Sequence, residues 1–77
     1  MQVRLLGVQA LNFTNNNGEA VAGTNIFCAF ADATVNGVRT ERFFLKNDIS
    51  LPENTKLNDV LEISFNHKGK IESITKA

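Results

Sequence analysis

A chain of 77 residues, 43% of them hydrophobic, has room for one domain and no general tendency to disorder. Eight basic residues balance eight acidic ones, which counts against a strongly electrostatic nucleic-acid binder but leaves room for charges segregated by face. No apolar run approaches the roughly 20 residues of a membrane helix, and Met1-Gln2-Val3-Arg4 lacks the apolar core of a secretory signal.

Val3 to Phe13 reads as a long first strand. Val3 and Leu5 share one face, while Leu6, Val8 and Ala10 share the other, with Gly7 between. Apolar residues on both faces beside a glycine predict a bulge, where the strand bends and serves two parts of a curled sheet. Thr14-Asn15-Asn16-Asn17-Gly18 is a turn, and its Asn-Gly pair favours a type I′ hairpin. Glu19 to Phe30 is the second strand, with Ile26, Cys28 and Phe30 alternating into the core. Phe27 then faces outward among alanines.

Asp32 to Gly37 connects to a third strand, Val38 to Lys46, rich in β-branched and aromatic residues. Phe43 and Phe44 are adjacent and must point to opposite faces. Phe43 with Leu45 is the natural core pair, which leaves Thr40, Arg42, Phe44 and Lys46 outside. Lys46 to Asn58 is irregular, broken by Pro52, with Ile49, Leu51 and Leu57 too sparse for a helix. One helical turn or an Ω-like loop plugging a barrel end is expected there.

The final hairpin carries the clearest pattern. Leu61, Ile63 and Phe65 alternate with Glu62, Ser64 and Asn66, a strand with one buried and one wet face. Asn58-Asp59 turns the chain before it, and Asn66-His67-Lys68-Gly69 turns it after, ahead of a strand from Lys70 to about Lys76. Ile71 and Ile74 stand three apart, so one lies outside or a bulge intervenes. Five strands with turns every eight to twelve residues predict an all-β fold, best matched by a small five-stranded OB-like barrel with little or no helix. An SH3-like barrel is the rival.

Two portions carry a family likeness. Phe13-Thr14 followed by Gly18, Val21 and Gly23 resembles the first hairpin of the filamentous-phage single-stranded DNA-binding proteins of the gene V type, which are small dimeric OB-like barrels. The segment from Asn58 to Gly69 resembles the late hairpin of small bacterial and phage OB-fold proteins that bind single strands. The resemblance implies a homodimer from a phage or mobile element that binds single-stranded DNA, or RNA. Here, however, the long loop from Asn15 to Thr24 has neither the arginines nor the aromatic by which that phage family touches DNA. A binding site must therefore be built on the sheet.

A sequence-tolerant single-strand binder needs rings for bases to stack on and cations along the phosphate path. Phe27, Phe44, Arg42 and Lys46 supply both on one expected face, with Arg39 at the start of the strand. Lys68 and Lys70 flank Gly69 within reach of the same groove. Asn15, Asn16 and Asn17 are a polar turn that could add amide contacts. The competing reading of Phe27 and Phe44 is core packing or a dimer interface, and that of Arg42 and Lys46 a solvated face paired with Glu41 or Asp48.

Catalysis is not expected. His67 is the only histidine and sits in a tight turn, with no metal-ligand spacing around it. Cys28 lies between core residues and reads as a buried inert thiol. As the only cysteine it cannot form an internal disulfide, so a reducing cytoplasm is the simplest compartment. The acidic residues are scattered, and no cofactor motif is present. The expectation is a non-enzymatic single-stranded DNA-binding protein. The alternatives are a homodimerising assembly module and a regulator that binds a peptide at a strand edge.

Overall fold

The computed structural model describes residues 1–77. Its strands are β1 (Gln2–Thr14), β2 (Ala20–Phe30), β3 (Arg39–Lys46), β4 (Val60–Phe65) and β5 (Ile71–Lys76), and there is no helix. They form one antiparallel sheet in the order β3-β2-β1-β4-β5, the five-stranded all-β architecture that the alternation predicts.

β1 is the central strand because it is long enough to serve two neighbours. Its first residues pair with β4, Val3 facing Leu61, and almost its whole length pairs with β2. The register shifts between Leu5 and Gly7, so Leu6 is the extra residue of the expected bulge. The bulge also changes the phase of the strand. Val8 lies opposite Ile26, on the core side, and not on the outer side with Leu6. It is still 48% exposed, because the β1–β2 ribbon runs on past the end of the core.

Each strand contributes to that core. Val3, Leu5, Ile26, Cys28, Leu45, Leu61, Ile63 and Ile74 are buried together, with Phe30, Phe43, Ile49, Leu51 and Ile71 packed against them. Ile49 and Leu51 come from the irregular connector, which fills one end of the core as a loop without a helical turn. Both Ile71 and Ile74 reach the core, since a second register shift beside Phe65 absorbs the odd residue between them.

The two tight hairpins use the same turn. Asn15 Oδ1 accepts hydrogen bonds from the backbone N–H groups of Asn17 and Glu19, and Asn66 Oδ1 accepts from those of Lys68 and Lys70. In each a glycine takes the left-handed position, Gly18 at φ 77° and Gly69 at φ 78°. Asn17 does not share that conformation, so the first turn is not the expected type I′, which needs positive φ at both central residues. The Asn15 side chain caps the backbone instead and supports a turn with one left-handed residue.

The sheet curls but does not close. No ladder joins β3 to β5, yet Phe43 of β3 and Phe65 of β4 meet across the seam with ring centroids 6.4 Å apart and planes tilted by 57°. Aromatic side chains bridge the last gap where backbone hydrogen bonds are absent.

Candidate functional site

The outward row of β2 pairs with the outward row of β3. Phe27 faces Arg42, Asn25 faces Phe44 and Ala29 faces Thr40. Phe27 and Phe44 remain 40% and 42% exposed, so neither ring belongs to the core. Each rests on a glycine. A Cβ placed on Gly7, directly opposite Phe27, would lie 3.4 Å from that ring, and one on Gly23 would lie 2.5 Å from Cζ of Phe44. A glycine in a strand leaves a gap that an aromatic side chain can cover. Covering it presses one side of the ring on backbone and leaves area open to solvent.

Arg42 stands between these rings on the same row and takes part in no ion pair. It borders three depressions of the surface, more than any other cation. The largest, of about 520 Å³, is the open seam. Arg42, Phe43, Phe44 and Lys46 form its β3 wall, while Phe65, Asn66, Gly69, Lys70 and Ile71 of the last hairpin form the other, with Asp48 and Ile49 from the connector. Three cations face one carboxylate there, and none of the four is ion-paired. A chain with no net charge thus carries a locally positive groove floored by aromatic rings.

Five of the seven expected contact residues, Phe27, Arg42, Phe44, Lys46 and Lys70, lie on this surface, Phe27 beside the groove and the others along it. Arg39 stands apart, on the inner row opposite Phe30. Its guanidinium donates to Asp32 at 3.2 Å and to Glu41 at 2.8 Å, and sits 5.9 Å from the centroid of the Phe30 ring. Hydrogen bonds from the Thr34 backbone and hydroxyl, then from Arg39, hold the Asp32 carboxyl below its ordinary range, and the two carboxylates raise the guanidinium. Arg39 braces the β2–β3 connection, with its charge already matched. Lys68 is exposed at the turn tip and lines no part of the groove.

The surface also includes residues that alternation did not single out. Phe65 and Phe43 floor the seam, and Phe13, 49% exposed, extends the outer row on β1. Phe13 and Phe65 are visible in the sequence as strand-end aromatics, but their partners come from strands distant in the chain. Burial pushes the Cys28 thiol up to about 11, keeping it protonated and unreactive at neutral pH. Comparison of the chain with protein-family models, curated proteins and solved structures finds no match.

Proposed function

We propose that this chain is a non-enzymatic, OB-like single-stranded DNA-binding protein that lays the strand across the outer face of β2 and β3 and along the seam. The observation that carries the reading is the row Phe27, Arg42, Phe44: two open rings seated on glycines with an unpaired guanidinium between them. Stacking tolerates any base, because every base has a π-face, and each ring contributes about 1–3 kcal/mol. Lys46 and Lys70 extend the cationic path toward the last hairpin. Strands 2 and 3 with the flanking hairpin loops are the surface that OB folds offer to oligonucleotides, and the likeness to phage single-strand binders points the same way.

Fluorescence-anisotropy titration of labelled oligo-dT tests it. With Arg42, Lys46 and Lys70 contacting phosphate, log affinity falls with log salt at a slope of about −2. Phe44→Ala weakens binding roughly 5- to 150-fold, and Arg42→Ala makes the salt slope shallower by about 0.7. Absence of binding at low salt, or binding indifferent to both substitutions, overturns the reading.

A second reading, a homodimerising assembly module, has its own observation. Leu6, Val38 and Val60 are 44%, 62% and 42% exposed around an apolar depression of about 400 Å³ on a face away from the seam. It predicts a dimer that binds no oligo-dT, and a monomeric mass in solution overturns it.

A further inference from the structure

One side chain on the outer face is left unexplained by stacking and phosphate contacts. Asn25, in the middle of β2, is the single buried polar residue of the chain and only 7% exposed. A buried amide needs partners, yet Asn25 makes one hydrogen bond, from Nδ2 to Gln9 Oε1, and that bond is long at 3.4 Å. Its carbonyl oxygen and second N–H have no protein partner and are not sealed from solvent. The register places it opposite Phe44 on one side and Gln9 on the other. With Leu11, Phe13, Val21, Arg42 and Phe44 it lines a depression of about 450 Å³, in which it is the most deeply buried group.

An apolar hollow between two exposed rings, with an underused amide at its base, has the chemistry of a pocket for one flat heteroaromatic ring. We infer that this hollow takes a single unstacked nucleobase and that Asn25 reads its edge, an inference that rests on the single-strand reading above. The amide presents one acceptor and one free donor side by side, which matches the amino group and ring nitrogen of adenine in a bidentate pair; cytosine offers the same pair, but the larger purine faces suit a hollow with a ring on either side. Phe13 and Phe44 cover the purine faces. Arg42 carries donors only and meets the phosphate that follows. On this account the stacking row supplies affinity and the amide supplies a preference for adenine.

The test compares short oligo-dT strands carrying one central dA, dG, dC or dT, by anisotropy at fixed salt, for the wild type and for Asn25→Leu. The leucine keeps the volume and removes both polar atoms. The wild type is expected to bind the dA strand roughly tenfold more tightly than all-dT. Asn25→Leu is expected to bind the two equally, near the wild-type affinity for all-dT, with the salt slope unchanged. In the wild type alone, the side-chain amide NMR resonances of Asn25 should shift with the dA strand far more than with all-dT, a readout independent of the variant's folding. Equal wild-type binding of all four strands overturns the inference while leaving the single-strand reading intact. So does a preference that survives in Asn25→Leu, one for dC, which would remove the purine fit, or one for dG, which would assign the reading to Arg42. Failure to bind any strand overturns both.

Discussion

Gly23 and Gly7 perform the same service for two rings, at very different tolerances. A Cβ on Gly23 would lie 2.5 Å from the backbone oxygen of Leu45 as well as from the Phe44 ring, so strand and ring would both have to move. Gly23→Ala should cost about 1–3 kcal/mol, the usual range for overpacking, and weaken oligonucleotide binding as Phe44 is displaced. Gly7→Ala meets only the Phe27 ring, at 3.4 Å. Its smaller unfolded-state entropy offsets that contact, and stability should change by less than about 0.5 kcal/mol. Urea denaturation of both variants checks the contrast, and equal losses would contradict it. Cys28 gives a pH signature. Its folded pKa is raised from 9.0 to about 11, so the folded state binds more protons than the unfolded one in that interval. The thiol's contribution is complete below pH 9.0 and is lost as pH rises through about 11, a decline on the order of 2–3 kcal/mol. Unfolding free energies measured across this interval should fall steeply in the wild type and less in Cys28→Ala; parallel curves would remove the thiol as the cause.

At the scale of elements, what sequence pattern reveals depends on how locally each feature is determined. The bulge at Leu6 was readable because apolar residues on both faces next to Gly7 admit few other geometries. The split of Phe43 and Phe44 between faces follows from strand alternation, and Leu45 fixes which one turns inward. Ile71 and Ile74 announced an irregularity by their spacing alone. The same logic failed where a partner lies far along the chain or around a loop. Arg39 looked like a free cation at a strand start because its match to Asp32 depends on how residues 32–38 fold back. Asn25 does not stand out in the strand pattern, since its neighbours Gln9 of β1 and Phe44 of β3 are brought to it only by the sheet. Val8 lies on the opposite side to the one that simple alternation predicts, because a bulge inverts the phase of everything after it. Of the candidate surface, the β3 row is evident in the sequence and the seam is not, because the seam exists only once β4 has curled round to β3.

The molecule as a whole is more extended than its size requires. Its radius of gyration is 13.6 Å, against about 11.5 Å for a compact domain of this length. It exposes 5585 Å² at a mass of 8.5 kDa, about 900 Å² more than a typical monomer of that mass. That excess is close to the roughly 800 Å² each partner buries in a standard interface, and a chain of zero net charge meets no long-range repulsion from its own copy. Under the assembly reading, light scattering should give twice 8.5 kDa, and Val38→Asp, at the most exposed of the apolar positions around the depression, should return the monomer; a mass of one chain in the wild type would end that reading. The unclosed seam has a mechanical consequence of its own. Since β3 and β5 share no backbone hydrogen bond, the aperture between them is held by side-chain packing such as that of Phe43 on Phe65. Under the single-strand reading, a flexible strand lying in that aperture would be held between two jaws that meet only through side chains and are joined through β1.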